Sequence, residues 1–333
     1  MILIPRNEEY LGTLKDSITD STDSFEQMNL YGKNILIVPN NSPTFKIDIK
    51  NVFSVKSGLY SRDMKEDDTV VSINDVRVGG KKLAIAAGPC AVESEDQTIE
   101  IARNVKKLGA DILRGGAFKP RTSPYSFQGL GNEGIRILEK AREETGLPVV
   151  SELMDIGDFP AFVNGVDMIQ VGSRNSQNFS MLKFLGRSGK PVLLKNGMGN
   201  STDEWMSSAE YVLSGGNGNV VLCYRGTRGF EKRTRFALDI GSITVAKKIS
   251  HLPVCADPSH PSGNREYVES MALASVASGC DMLELEVHND PDNALSDSEQ
   301  QITFDTFGRI VKRARKIREF ILENSKNIES APL

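Results

Sequence analysis

The run ILRGGAFKPRTSPYSFQG, at 112–129, gathers Arg114, Lys119 and Arg121 within eight residues. Its apolar start ends at Gly115-Gly116, which predicts a buried strand spilling into a loop. Arg offers a planar fork that matches phosphate or carboxylate oxygens two at a time, and Lys a mobile point charge. A loop holding both, followed by Thr122 and Ser123, suits a compact polyanion. A solvated basic loop is the plainer reading, but cations recur where other apolar runs end, at Arg174, Lys195 and Arg225.

A second group of residues closes the same kind of run. Cys90, His260 and Glu286, with Asp297 further along the last loop, form a mixed thiol, imidazole and carboxylate set. Such donors suit one divalent transition ion, Mn²⁺, Fe²⁺, Zn²⁺ or Co²⁺, better than Mg²⁺, which prefers oxygen alone. Each has a duller alternative: Cys90 as a small core residue, His260 as a capped loop histidine, Glu286 as a partner for an arginine, Asp297 as the N-cap of the last helix. His288, two residues beyond Glu286, is a further ligand candidate. Glu152 could orient a cation, and Asp257 could hold the imidazole of His260.

These residues need a scaffold that brings strand ends to one place. From Leu83 onward eight short apolar runs appear, beginning at Leu83, Ala110, Val149, Met168, Pro191, Val220, Pro253 and Met282. Helix-like segments lie between them: Ser94–Leu108 ends at Gly109, Glu133–Thr145 at Gly146, and Asn264–Ser278 at Gly279. Gln300–Leu322 carries an apolar stripe through Phe304, Phe307, Ile310, Val311, Ala314, Ile317 and Ile321. Eight strand–helix alternations predict an α/β fold, a (β/α)8 TIM barrel over 76–333, with the closing residues of each strand converging on one bowl. Gly88-Pro89-Cys90-Ala91 lacks the Gly-rich fingerprint of a doubly wound sheet. Six cations in that bowl, if unpaired, demand anions: two phosphates, or a phosphate and a carboxylate.

Residues 1–75 read differently, as a small α+β N-terminal domain. Met1–Pro5 and Asn34–Pro39 predict strands, Asn7–Ile18 a weak helix, and 47–55 another strand. At 333 residues there is room for both units. Lys and Arg total 40 against 44 Asp and Glu, a net charge of −4, which argues against nucleic acid or an anionic membrane as partner. No apolar run is long enough to span a bilayer, and the N-terminus has no signal-peptide pattern. Four scattered cysteines form neither CxxC pairs nor a disulfide framework, so a reducing cytoplasm is expected.

The blocks AGPCAVES, LRGGAFKPRTSPYSFQGLG, VGSRNSQN, LLKNGM, CYRGTR, ADPSHPSG and LEVHNDPDNALSDSEQQ occur in this order. Together they resemble 3-deoxy-D-arabino-heptulosonate 7-phosphate (DAHP) synthase of the short microbial type, over roughly Lys82 to Ile321. The resemblance implies condensation of phosphoenolpyruvate with erythrose 4-phosphate, the entry to aromatic amino acids through shikimate. It implies Cys90, His260, Glu286 and Asp297 as metal ligands. Arg114, Lys119, Arg174, Lys195 and Arg225 would then hold phosphoenolpyruvate, and Arg121 with Thr122 the sugar phosphate. Lys195 is expected either to handle a proton near the enol, its pKa lowered by neighbouring cations, or simply to clamp an anion; Cys90 and His260 would act catalytically through the metal.

Some relatives carry an N-terminal ferredoxin-like domain that binds an aromatic amino acid and closes over the barrel mouth. Here an abbreviated version could fit, although Asp20–Lys33 is polar where a second strand is wanted. An aromatic amino acid effector and a homo-oligomer, dimer or tetramer, follow as expectations. Three rivals remain. The sister synthase that uses arabinose 5-phosphate and makes 3-deoxy-D-manno-octulosonate 8-phosphate tends to place Asn where this chain has Pro120. A Schiff-base aldolase would use Lys195 as nucleophile. A non-catalytic phosphate sensor would have no need of the thiol–imidazole–carboxylate set.

Overall fold

The computed structural model describes residues 1–19, 25–39 and 50–329. Its first unit contains β1 (Ile2–Pro5), a helix over Glu8–Thr19, β2 (Glu26–Leu30), β3 (Lys33–Ile37) and β4 (Val52–Val55), in an antiparallel sheet ordered β2-β3-β1-β4. That order with a helix after β1 is an abbreviated ferredoxin-like arrangement. Leu3, Leu14, Ile18, Leu36, Val38 and Val52 pack on its helix-covered face. Ile4, Leu30, Ile35 and Val55 join the core shared with the rest of the chain.

The polar stretch Asp20–Lys33 does contain a strand, contrary to expectation. β2 is an edge strand whose residues before Leu30 are largely exposed, and backbone pairing to β3 together with the buried Leu30 holds it. Of the strand expected over 47–55, Val52–Val55 form β4 and residues 50–51 a turn before it; 47–49 lie outside the described residues.

This sheet docks at the end of the molecule away from the bowl. Tyr31, in the β2–β3 turn at φ 53, donates its hydroxyl to Gly218 O at 3.0 Å and meets the His251 ring edge-on at 5.1 Å. On the adjoining helix Thr202–Leu213, Glu210 accepts from the Leu59 and Tyr60 amides at 2.8 and 3.2 Å.

His251 is fully buried, 2.9 Å from Thr69 Oγ1 and 2.8 Å from Leu59 O. Burial pushes its pKa down to about 4, only partly opposed by the Leu59 carbonyl. An unfolded histidine titrates near 6.5, so the neutral ring stabilises the fold fully above that pH. The contribution falls as pH drops toward 4, by about 3 kcal/mol at most. Melting temperature should therefore fall more steeply across this window in the wild type than in His251→Gln; equal slopes would dismiss the assignment.

A hairpin, β5 (Val71–Ile73) and β6 (Val76–Val78), precedes the second unit. Val71, Ile73 and Val78 plug the barrel floor against Ala84, Ala86, Ile112, Val150, Met168 and Leu193. The expected domain edge at 75/76 thus falls in the turn of a hairpin whose two strands pack together on that floor.

The barrel strands are β7 (Ala84–Gly88), β8 (Ile112–Arg114), β9 (Val149–Glu152), β10 (Met168–Val171), β11 (Val192–Lys195), β12 (Val220–Tyr224), β13 (Val254–Ala256) and β14 (Met282–Glu286). Each pairs in parallel with its neighbours, and β14 closes on β7. Their near-complete burial explains the apolar runs, since helices cover the outside and side chains fill the lumen. The helix Glu95–Leu108 starts with Ser94 accepting from the Gln97 amide and stops at Gly109, φ 104.

The last helix begins at Phe304, not near Gln300, and Asp297 is not its N-cap. Instead Asp297 sits at φ 46 in the preceding loop, because Gln300 and Gln301 are buried by bonds to the site. Gln300 Nε2 donates to Glu286 Oε2 at 2.6 Å, and Gln301 Oε1 accepts from the Cys90 amide at 2.9 Å.

Candidate active site

A cavity of about 400 Å³ opens where the barrel strands end. Arg114, Lys119, Arg121, Thr122, Glu152, Arg174, Lys195, Arg225, His260 and Asp297 all line it. Cys90 and Glu286 lie buried beside it.

Two parts of the site differ in electrostatic state. Arg114 and Lys195 already face buried carboxylates: Arg114 Nε and Nη1 lie 3.3 and 3.2 Å from Glu284 and Glu286, and Lys195 Nζ lies 2.7 and 2.8 Å from Asp257 and Glu284. The expectation of six unpaired cations is corrected accordingly. So is the lowered lysine pKa. Burial alone would depress Lys195, but Asp257 and Glu284 outweigh it and hold the ammonium above the ordinary lysine range. An amine held as ammonium by two carboxylates also makes a poor Schiff-base nucleophile.

Arg225 is the opposite case. It is 5% exposed, its Nη1 has no hydrogen-bond partner among the described residues, and its guanidinium lies 4.0 Å from the centre of the Phe236 ring. Burial lowers its pKa, the mark of a cation short of counter-charge. Among the described residues Arg174 and Arg228, which share the cavity wall, make no ion pair either. The demand for an anion is therefore concentrated on this side.

The thiol and carboxylates of the expected metal set converge. Ligand atoms of Cys90, Glu286 and Asp297 all lie within 4.8 Å of one another. His260 stands just outside that group, with Nε2 3.7 Å from Glu286 Oε1 and Nδ1 2.6 Å from Asp257 Oδ2. Asp257 thus lies against the Nδ1 side of the imidazole, with Nε2 on the side of the cluster. Glu286 Oε1 is buried and, apart from the Arg114 ion pair, accepts no hydrogen bond among the described residues, and burial pushes the Cys90 thiol up to about 12. Lys119 Nζ, 3.1 Å from Cys90 Sγ, partly compensates. Burial opposes the Asp297 carboxylate, but His260, Arg235 and Lys119 outweigh it and hold the pKa at about 2. An under-bonded carboxylate oxygen, a thiol that needs a cation to ionise and an aimed imidazole fit a divalent ion.

His288 falls away as a ligand. Its Nε2 meets Gln97 at 2.9 Å and its Nδ1 accepts from the Asp290 amide at 2.9 Å, both outside the cluster. A second trio, Cys223, Asp257 and Glu284, is equally tight, but the Lys195 ammonium already contacts both its carboxylates. Glu152 accepts from Gln170 Nε2 at 3.2 Å and packs over Gly172, where an added Cβ would lie 1.8 Å from Oε1.

Arg228, Arg235 and Glu284 escaped the sequence reading. Arg228 stands three residues after Arg225 in one loop, a spacing that carried a signal. Glu284 alternates with Glu286 in MLELEVH, and strand period alone puts both on the lumen side.

The profile of the DAHP synthetase I family matches residues 63–323. The phospho-2-dehydro-3-deoxyheptonate aldolase of Thermotoga maritima is 44% identical over 261 residues, covering 78% of this chain and 77% of that protein. The 2-dehydro-3-deoxyphosphooctonate aldolase of Syntrophotalea carbinolica is 31% identical over 277 residues, covering 77% and 99%. The crystal structure of the Thermotoga maritima phospho-2-dehydro-3-deoxyheptonate aldolase (DAHP synthase) superimposes with a TM-score of 0.78 at 35% identity, covering 96% of each chain. A truncated form of the 3-deoxy-D-arabino-heptulosonate 7-phosphate synthase from the same organism gives 0.74 at 39% identity, over 79% of this chain and 97% of that one. With fold, site and these likenesses in agreement, the chain belongs to the DAHP synthetase I family.

Proposed function

We propose that the protein joins phosphoenolpyruvate to erythrose 4-phosphate with water, releasing phosphate and 3-deoxy-D-arabino-heptulosonate 7-phosphate. The observation that carries this reading is the buried Arg225 guanidinium, whose Nη1 has no hydrogen-bond partner among the described residues, in a cation-lined bowl beside a sulfur–imidazole–carboxylate cluster. The two substrates together bring two phosphates and one carboxylate to such a bowl, and an aldehyde to such a cluster.

Cys90, His260, Glu286 and Asp297 would hold the metal. A bound divalent ion supplies Lewis-acid polarisation of the aldehyde oxygen. The chain's own residues do the rest. Arg225 and Arg174, with Arg114, Lys119 and Lys195, clamp phosphoenolpyruvate so that its C3 faces the aldehyde carbon. Lys195 keeps its proton on Nζ and so serves as a donor to the anion, not as a base. Water adds at C2 and phosphate leaves by carbon–oxygen cleavage, eased by the cations around its oxygens.

Arg121 and Thr122 would grip the sugar phosphate. Arg121 Nη1 now lies 3.8 Å from Asp297 and its Nε donates to Phe127 O at 3.1 Å, on the rim of the bowl. Arg121→Ala should raise KM for the aldehyde by roughly 10- to 100-fold, the loss of one charge-assisted bond, and leave that for phosphoenolpyruvate nearly unchanged. Equal rises for both substrates would refute the assignment.

The deciding experiment is phosphate release by metal-reconstituted protein with each sugar phosphate. Turnover with erythrose 4-phosphate supports the reading, and turnover only with arabinose 5-phosphate replaces it by that of the octulosonate relatives. No described helix is long and apolar enough to cross a membrane, and the four cysteines are free and buried, which supports a cytoplasmic site of action. The abbreviated ferredoxin-like order of the N-terminal sheet supports a response to an aromatic amino acid, with the chain acting in a homo-oligomer. Activity unmoved by millimolar tyrosine or phenylalanine would remove that part.

A further inference from the structure

Glu284 lies in the middle of β14, 1% exposed, and does not line the bowl. Its carboxylate crosses the lumen: Oε1 is 3.3 Å from Arg114 Nε on β8, Oε2 is 2.8 Å from Lys195 Nζ on β11, and Cys223 Sγ on β12 lies 3.7 Å from Oε2. Asp257, the other carboxylate on Lys195, also serves His260. Glu284 is therefore the acid that ties the two buried cations to each other. Enclosing a carboxylate at the centre of a barrel carries a desolvation penalty, and an apolar side chain of that size would fill the lumen without it. What such a chain could not do is hold two mutually repelling cations at a set spacing.

We propose that Glu284 is a positioning residue for the condensation. Resting on the functional reading above, this assigns it two effects. It sets the distance between Arg114 and Lys195 so that both face one substrate, and its charge weakens their pull on that substrate in the ground state. Removing the charge should tighten anion binding, since two cations lose their nearest shared counter-charge. Releasing the side chains should slow turnover, since a misplacement near 1 Å costs about 10²-fold.

The test compares wild type with Glu284→Gln and Glu284→Met. Trp205 is the one tryptophan, and its Nε1 donates to Leu194 O at 3.1 Å, next to Lys195, so its fluorescence reports on this corner. Titration with phosphoenolpyruvate alone should show equal or tighter binding in both variants, and kcat should fall about 10- to 100-fold with KM not raised. A purely structural glutamate would lower the melting temperature and leave kcat and KM of the folded protein as they were, which overturns the proposal. Weaker binding in both variants overturns it as well. Should Glu284→Gln fail to fold, Glu284→Met, which presents no amide donor to the cations, carries the same comparison. The binding arm does not need turnover, so a wild type that binds phosphoenolpyruvate yet forms no product sinks the functional reading alone.

Discussion

Cys90→Ala should empty the metal site and lower turnover by on the order of 10³-fold, the several kcal/mol that a Lewis acid contributes to the charge developing on the aldehyde oxygen. The thiol is the soft donor of the cluster, and it stands where ionisation is difficult without a cation: fully buried, its pKa raised to about 12, with Ser296 Oγ at 3.0 Å and Lys119 Nζ at 3.1 Å. Alanine fills most of the same space and leaves the Cys90 amide free to keep its bond to Gln301. Fold and melting temperature should therefore change little while metal content, read by elemental analysis after dialysis, falls to background. Retention of stoichiometric metal with activity lost would mean that the sulfur acts in the chemistry and not as a ligand.

The second large effect is expected at Arg225. Arg225→Gln should raise KM for phosphoenolpyruvate by about 30- to 1,000-fold, the 2–4 kcal/mol typical of losing one partner of a desolvated charge pair. The sign of the stability change distinguishes this residue from an ordinary core arginine. Its Nη1 has no hydrogen-bond partner among the described residues, so the substitution removes a poorly compensated buried charge, and the melting temperature without substrate should hold or rise. A marked drop in stability, with KM unmoved, would show that the guanidinium serves Phe236 and the fold instead of an anion. Arg225→Lys should recover little, because a point charge reproduces neither the planar fork nor its packing on the ring at 4.0 Å.

Both residues were legible in the sequence, and for the same reason. A parallel barrel strand buried on both sides is written as an unbroken apolar run, so the first chemical residue after it stands out, as Cys90 does after LAIAAGP and Arg225 after VVLCY. Asp297 was legible as a donor but not in its role as a turn residue at φ 46. Two glutamines that sequence patterning assigns to a helix are drawn inward to bond Cys90 and Glu286. β2 was hidden because an edge strand can be largely polar, with little beyond Leu30 buried, and still pair.

By itself, then, the order of apolar runs and breakers determined the eightfold alternation, the closed barrel and the residues that can reach its mouth, because burial of a strand depends on local composition. Which cations are already neutralised was decided only by the tertiary structure. Glu284, Asp257 and Glu286 meet Arg114 and Lys195 across the lumen from strands far apart in the chain, and Coulomb pairing depends on distance in space, not on spacing in sequence. That is why Lys195 reads in the sequence as either a proton handler or an anion clamp and stands in the fold as an ammonium held by two carboxylates, while Arg225 is left facing the bowl with a donor to spare.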